Sequence, residues 1–154
     1  WDLPDIEEAG DWKNRFWRIS QIMITDVFSV RPTDPVNYAN HIMNWKYIRH
    51  VPVEDDSGKL VGIITSRLLL DHYAKQSEVK AAEDILIRDI MVQDPYAVAP
   101  DTLILDALKL MKEHKLGFLP VVSNSQLVGI VTEHDFMRIA EYFISQYRDS
   151  DEEV

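Results

Sequence analysis

The sequence contains one pattern twice, and this internal repeat constrains the fold more than any local feature does. The first copy opens at Ile22-Met23 and the second at Ile90-Met91, 68 positions later, and the offset becomes 67 after a deletion in a turn. Both copies share Met23 and Met91, Asp26 and Asp94, Val30 and Val98, Pro32 and Pro100, Ala39 and Ala107, Met43 and Met111, Pro52 and Pro120, Gly62 and Gly129, and Thr65 and Thr132. We therefore expect two copies of one structural unit.

Each copy predicts the element order strand, helix, strand, strand, helix. Short extended runs at 27–30 and 96–98 end at a proline, and an amphipathic helix follows, which in the second copy starts at a cap, Asp101 or Thr102, and ends before Gly117. Turn residues then separate paired apolar runs, which predict hairpins. The predicted hairpins are 50–54 with 60–65 and 119–122 with 127–132, and the predicted final helices are 66–73 and 133 to about 147.

The size of each copy indicates how the two combine. A unit of about 45 residues leaves one sheet face uncovered and is marginal alone, whereas two units packed together bury both faces. We therefore predict an α/β protein of the α+β type, with two tandem β-α-β-β-α units packed sheet to sheet as a pseudo-twofold pair. Such a pair creates two equivalent clefts where the units meet, and clefts of this kind are preferred ligand positions.

Composition shifts along the chain predict the domain boundaries. Helical spacing of aromatic residues indicates a lead-in helix near the start, a polar stretch separates the copies, and the last residues are acidic. The predicted segments are a lead-in helix at 1–20, a first unit at 21–75, a linker at 76–88, a second unit at 89–147 and an acidic tail at 148–154.

Composition also excludes several classes of function. A net charge of −10 argues against nucleic acid and anionic membranes as partners, because both require clustered cations. No window approaches the ~20 apolar residues of a membrane span, and there is no cysteine for disulfides or thiolate metal sites, so the prediction is a cytoplasmic protein without membrane insertion. Because the sequence begins at Trp1 rather than Met, we expect it to be part of a larger chain.

Motifs for catalysis are missing from the sequence. There is no H-E-x-x-H, G-x-S-x-G, P-loop or G-x-G-x-x-G pattern. The adjacent Glu133, His134 and Asp135 point in different directions on a helix, which is poor geometry for one metal. We therefore expect no enzymatic activity, no metal and no catalytic cofactor.

The repeated motifs resemble those of a known family. Gly-Ile-Val-Thr-Glu-His-Asp at 129–135 after a buried strand, Leu-Pro-Val at 119–121, and Met-x-x-Asp-x-x-x-Val-x-Pro at the start of the unit are similar to the cystathionine-β-synthase (CBS) domain. Two such domains in tandem resemble the CBS pair, or Bateman module. The resemblance covers roughly residues 20 to 145 and implies a regulatory module that binds AMP, ADP, ATP or S-adenosylmethionine between its units, commonly forms homodimers and controls a larger host protein.

The resemblance also implies which residues bind the nucleotide. Family members use the motif aspartate for the ribose hydroxyls and the threonine region for phosphate, and a carboxylate is well suited to a diol because it accepts two charge-assisted hydrogen bonds. A helix that starts near Thr132 would offer N–H groups to a phosphate. The implied site consists of Thr132, His134, Asp135 and Ile130 from the second unit and Asp26, Phe28 and Ile48 from the first.

The same motif has a purely structural interpretation. Thr132 followed three residues later by Asp135 at a helix start matches a capping box, in which the carboxylate reaches back to the first N–H. Such a cap would stabilise the ligand-free protein by about 1 kcal/mol. A role in ligand binding alone would leave the ligand-free stability nearly unchanged.

The other cleft departs from the family pattern. Leu68 occupies the position of the ribose-binding aspartate, whereas cationic residues lie nearby. One interpretation is a second candidate site that recognises phosphate more than sugar, and the other is that the two arginines balance surface carboxylates such as Asp55, Asp56 or Asp94. The residues of this second candidate site are Thr65, Arg67, Arg49, Asp94 and Tyr96.

A second class of function also fits the sequence. The loss of the aspartate at Leu68 and the ample apolar and aromatic surface are compatible with a ligand-free dimerisation module. In that case no nucleotide should bind, and a change of Asp135 should alter assembly or nothing.

Overall fold

The computed structural model describes residues 18–75 and 85–151, with side chains only up to 145 in the last helix. The first copy contains α1 Val36–Lys46, β1 His50–Glu54, β2 Leu60–Thr65 and α2 Ser66–Lys75, preceded by a 3-10 turn at Ile19–Gln21. The second contains α3 Ile87–Ile90, β3 Val92–Gln93, α4 Ile104–His114, β4 Phe118–Ser123, β5 Gln126–Thr132 and α5 Glu133–Asp151. The predicted lead-in helix up to residue 17, most of the predicted linker and residues 152–154 lie outside the described residues.

Both hairpins form as predicted. β1 pairs antiparallel with β2, and β4 pairs antiparallel with β5, each with one register shift near its turn. The second turn places Asn124 and Ser125 at positive φ of 50° and 65°, the twist that a tight hairpin turn requires. The final helix is longer than predicted, since α5 continues to Asp151 and so includes residues 148–151 of the expected tail.

Two local predictions were wrong. The first strand of each unit is reduced to a single parallel bridge, Val30 with Val53 and Val98 with Val121. The predicted start cap of the second amphipathic helix also differs: the N-cap of α4 is Leu103, not Asp101 or Thr102, while the helix ends at His114 with Lys115 as a left-handed C-cap at φ 53°. The hydroxyl of Thr102 instead accepts a hydrogen bond from the Ala99 N–H at 3.0 Å, so it closes the preceding turn rather than capping the helix.

The opening segments of the two copies are exchanged. β3, which opens the second copy, pairs antiparallel with β2 of the first and completes the order β1-β2-β3. Conversely, Ile24 of the first copy pairs with Ile130 in β5, with N–H to O distances of 2.8 and 2.9 Å. Each sheet therefore acquires its third strand position from the other copy.

The turns ahead of these segments are exchanged in the same way. The Ile19 N–H donates to Thr102 O, and at the equivalent position the Ile87 N–H donates to Asp34 O, both at 2.9 Å. The apolar cores follow this exchange rather than the sequence boundaries. The first core contains Val30, Val36, Ala39, Ile42, Met43, Val51, Val53, Ile64, Leu69, Ile85 and Ile87, and the second contains Ile19, Ile22, Val98, Ala107, Met111, Leu119, Val121 and Val131.

Two glycines permit the close approach of the exchanged segments. A Cβ atom on Gly62 would lie 2.9 Å from Val92 O, and one on Gly129 would lie 2.9 Å from Ile24 O. Both distances are shorter than side-chain contacts allow. The repeated glycine of the motif is therefore explained by strand pairing between the copies.

The two hairpins meet at both ends through equivalent residues. At one end the rings of His50 and Phe118 stack with centroids 5.2 Å apart and planes within 2°. At the other end Lys59 and Gln126 form an antiparallel bridge. Because each pair joins corresponding positions of the repeat, the two units are related by a pseudo-twofold axis. The predicted fold, an α+β pair of tandem units, is confirmed.

Candidate functional site

The carboxylate of Asp135 is the one charged side chain that is buried among the described residues, at 3% exposure. It lies in the first turn of α5, where its Oδ2 accepts hydrogen bonds from the Thr132 N–H at 2.8 Å and from the Thr132 hydroxyl at 2.9 Å. The backbone half of the predicted capping box is therefore present. In a standard cap the Thr132 hydroxyl would accept a hydrogen bond from a backbone N–H of the helix, but here it donates to the Asp135 carboxylate. The two side chains are therefore hydrogen-bonded to each other.

One oxygen of this carboxylate remains available. Both hydrogen bonds use Oδ2, and no buried side-chain oxygen or nitrogen of the described residues lacks a partner. Oδ1 of Asp135 therefore keeps contact with solvent. A carboxylate held by one oxygen and open at the other can still accept a hydrogen bond from a ligand.

The equivalent position in the first unit is built differently. Leu68 replaces the aspartate, and the Leu68 N–H donates to the Thr65 hydroxyl at 3.2 Å. Thr65 thus acts as an ordinary helix cap for α2, with its oxygen as the acceptor. The two helix starts share a threonine but use it in opposite hydrogen-bonding roles.

The exchanged opening segment brings first-unit residues to the start of α5. Because Ile24 pairs with Ile130 and Val30 pairs with Val53, residues 25–29 cross from the second unit's sheet to the first unit's sheet. Asp26 is exposed on this crossing segment, and Phe28 is half-buried against the first core. We call the space between this segment and the Thr132–Asp135 turn the Asp135 cleft.

Phe28 on the crossing segment is surrounded by an aromatic and a cationic side chain. Phe28 and Trp45 meet edge to face with centroids 6.3 Å apart, and Lys46 Nζ lies 4.1 Å from the centre of the Phe28 ring and 4.0 Å from that of Trp45. Ile48 packs against the same core and its N–H donates to Met43 O at 3.1 Å. Lys46 therefore makes a cation–π contact with Phe28, one of the residues that the family resemblance assigns to the nucleotide site.

The second candidate site occupies the equivalent place on the other side of the axis. Residues 94–97 cross from β3, which pairs with the first unit, to the Val98–Val121 bridge in the second. Tyr96 stacks on His114 at 4.1 Å between centroids, and Asp94 is exposed with φ 47°. We call the space between this segment and the Thr65–Leu68 turn the Leu68 cleft.

The arginines of the Leu68 cleft remain available for an anion. Arg67 is exposed in the first turn of α2, and Arg49 precedes β1, where its carbonyl accepts from the Ser66 N–H at 3.0 Å. Within 18–75 and 85–145, neither arginine forms an ion pair, so the alternative in which they balance surface carboxylates has no such contact to support it.

A titratable group lies where the two units meet. Burial and the nearby Arg49 guanidinium lower the pKa of His50, and the Glu133 carboxylate opposes them. A Cβ atom on Gly117 would lie 3.5 Å from Glu133 Oε2 and 3.7 Å from His50 Cε1, so these side chains converge over that glycine. The start of α5 is therefore in electrostatic contact with the first unit.

Sequence reasoning missed two participants in these surroundings. Lys46 and His114 are equivalent positions of the repeat, and each contacts the aromatic ring of a crossing segment. The 68-residue offset shows that Lys46 and His114 are equivalent positions. Neither belongs to a repeated motif, however, so the sequence gave no reason to assign them to a site.

The described residues offer neither a metal site nor a membrane span. No group of three or more His, Asp or Glu side chains within 18–75 and 85–151 could hold a metal ion. No helix in the same ranges is long and apolar enough to cross a membrane.

Two exchanged α+β units with a cleft on each side of a pseudo-twofold axis define a class of paired modules. The family model described as CBS domain matches residues 19–75 and 87–142. The chain therefore belongs to the CBS domain family and contains a tandem pair.

Individual relatives agree with this assignment. The chain is 34% identical over 140 residues to inosine-5'-monophosphate dehydrogenase from Methanocaldococcus jannaschii, covering 89% of this chain and 26% of the relative. It is 36% identical over 133 residues to the enzyme of the same name from Korarchaeum cryptofilum, covering 84% and 26%. The chain thus spans about a quarter of the length of the curated relatives that it matches.

Solved structures show the same fold. A Vibrio cholerae protein named for acetoin utilization, AcuB, is 32% identical with a TM-score of 0.75, covering 86% of this chain and 96% of that one. CBSX2 in complex with AMP is 25% identical, with a TM-score of 0.73 and coverage of 82% and 97%. A CBS domain pair in complex with 5'-methylthioadenosine and S-adenosyl-L-methionine is 26% identical, with a TM-score of 0.72 and coverage of 80% and 95%.

Proposed function

We propose that this chain is a regulatory module that binds an adenosine-containing compound in the Asp135 cleft and controls a larger host protein. The observation that carries the proposal is the buried Asp135 carboxylate, which is fixed by Thr132 through Oδ2 and open at Oδ1. A preformed acceptor of this kind loses little freedom when a ribose hydroxyl binds. The AMP and S-adenosyl-L-methionine complexes of similar CBS pairs support the ligand class.

The proposed mechanism is a change in the angle between the units. Residues 25–29 connect the two sheets, and α5 starts at the cleft. A ligand that contacts both can favour one relative arrangement, and it shifts the population by its difference in affinity between arrangements. In this proposal the chain itself has no catalytic activity, acts in the cytoplasm and forms a homodimer.

A thermal-shift panel tests the proposal. AMP, ADP, ATP, S-adenosylmethionine and 5'-methylthioadenosine are each added to the wild-type chain and to Asp135→Leu, which reproduces the residue at Leu68. Ligand at about 100 times its Kd contributes about 2.7 kcal/mol, or roughly 5–10 °C in Tm for a chain of this size. We expect at least one compound to raise the Tm of the wild type by this amount. The same compound should leave the Tm of Asp135→Leu unchanged.

The shift on ligand addition is the quantity to compare, because the variant also loses a cap and melts earlier without ligand. Asp94→Leu, on the segment that belongs to the Leu68 cleft, is a control that should retain the shift. A shift that persists in Asp135→Leu would place binding elsewhere, and no shift with any compound would contradict the proposal.

A ligand-free assembly module is the second candidate function, and exposed apolar side chains favour it. In the described chain these include Trp45 at 70%, Leu70 at 69%, Met137 at 67% and Ile144 at 71% exposure. Sedimentation of the wild type and of Leu70→Glu with Met137→Glu would test it. Loss of a dimer in the double variant, together with an empty ligand panel, would favour assembly over sensing.

A further inference from the structure

The second unit exposes three leucines that the first unit lacks. Leu103, Leu105 and Leu108 lie at the N-cap and in the first turns of α4, and they are 42%, 58% and 38% exposed. The last two are three residues apart in the helix and therefore share a face. We call these three leucines the α4 stripe. At the equivalent positions the first unit has Pro35, Asn37 and Asn40.

The described part of the chain begins beside the α4 stripe. The Ile19 N–H donates to Thr102 O at 2.9 Å. One residue earlier, Arg18 forms an antiparallel bridge with Leu103, and its guanidinium donates to Asp101 O at 2.7 Å. Followed backwards along the chain, this antiparallel pairing advances toward the first turn of α4.

The first unit shows where the next residue lies in the equivalent arrangement. There the corresponding bridge joins Leu86 to Pro35, and one residue earlier the carbonyl of Ile85 accepts a hydrogen bond from the Val36 N–H at 2.9 Å. Val36 is the first residue of α1, and Ile85 is buried in the first core. In this unit the backbone before the bridge therefore continues onto the start of the helix.

The sequence before each bridge matches the polarity of the helix face that follows it. By the 68-residue offset, Trp17 is equivalent to Ile85, and Trp12 and Phe16 are equivalent to Lys80 and Asp84. Aromatic residues thus precede the bridge to the helix with exposed leucines, and charged residues precede the bridge to the helix with asparagines. Contact between the aromatic residues and the leucines would remove apolar surface from water on both sides, which is favourable.

We infer that residues 12–17 of this chain dock on the α4 stripe, with Trp17 in the position that Ile85 takes in the first unit. The segment that precedes the first unit is then held by the second, so a change in the angle between the units moves it. This docking requires no ligand, and it stands or falls independently of the proposed function.

Hydroxyl-radical footprinting of the full chain, read by mass spectrometry, tests the docking from both sides. Leu105→Asn with Leu108→Asn gives the α4 stripe the residues of the first unit and should raise the oxidation rate of Trp17 severalfold. Conversely, Trp12→Lys with Phe16→Asp gives the segment the residues that precede the other bridge. That double variant should raise the oxidation rate of Leu105 severalfold.

A matched control and a folding reporter accompany these variants. Leu70→Asn with Met137→Asn changes two exposed apolar residues of α2 and α5 and should leave the oxidation of Trp17 unchanged. Leu119 is fully buried in the second core, so its oxidation should stay slow in every variant that is folded.

The wild type alone separates docking within one chain from contact with a second copy. We expect Leu105 and Trp17 to be equally protected at low and at high protein concentration. Protection of Leu105 that appears only at high concentration would assign the α4 stripe to a second copy and overturn the inference. Oxidation of Trp17 in the wild type as fast as in Leu105→Asn with Leu108→Asn would also overturn it.

Discussion

The two units have the same backbone contacts and opposite chemistry at their clefts. Bridges, exchanged turns and glycine contacts recur at equivalent positions, whereas Asp135 and Glu133 of the second unit correspond to Leu68 and Ser66 of the first. Strand pairing fixes the shared positions because any side chain on those glycines would block the exchanged segment. Residues at the helix starts carry no such constraint, so a duplicated fold can keep its framework while its two clefts acquire different ligands.

The largest expected effect tests the shared framework. Gly62→Ala and Gly129→Ala each place a methyl group 2.9 Å from a carbonyl oxygen of the exchanged segment. Both should lower the free energy of unfolding by about 1–3 kcal/mol, measured by urea denaturation. Gly117→Ala is the matched control, because its methyl group would meet its nearest neighbour at 3.5 Å. If only one of the two glycine substitutions lowers the free energy of unfolding strongly, the two exchanged segments do not contribute equally to stability.

A smaller effect tests the difference between the helix starts. Asp135→Leu removes the acceptor of two hydrogen bonds from Thr132 and should lower ligand-free stability by about 1 kcal/mol. The same urea titration measures it. An unchanged midpoint would show that the carboxylate has no capping role and is kept for a ligand alone.

The smallest effect concerns the pair at the junction, His50 in one unit and Phe118 in the other. Because burial and Arg49 hold the pKa of His50 below its usual value of about 6.5, the unfolded chain takes up this proton more readily. The stability from this group is therefore complete above that pH and is lost as the pH falls below it. Glu133 opposes the shift and keeps the effect small. His50→Phe should flatten the pH dependence of Tm between pH 7 and 5, and an unchanged slope would assign the acid sensitivity to other groups.

The predictable part of the fold was the part encoded locally. The bounds of β1 and β2 follow from an apolar run on each side of Asp55-Asp56-Ser57-Gly58, and the motif at Thr132 and Asp135 indicated a helix start correctly. The exchange could not be predicted, because nothing near Ile24 specifies that it pairs with Ile130.

At the site, the sequence suggested both roles of Asp135 but not their division between its two oxygens. Hydrogen bonding by Oδ2 and the exposure of Oδ1 depend on how deeply α5 sits in the structure. Similarly, the contact of Lys46 with Phe28 depends on where α1 ends relative to the crossing segment. The residues with roles assigned from the family resemblance remain predictions that the ligand experiments test.

The exchanged opening segments also determine when the chain can fold during synthesis. The segment at 19–24 is translated before its partners, which lie between Thr102 and Ile130 and follow it by roughly a hundred residues. Contacts of such high sequence separation form slowly, and unpaired apolar segments are prone to aggregation in the meantime. Ile19 and Ile22, both buried in the folded protein, are therefore apolar residues that stay without their partners until the second unit has been translated.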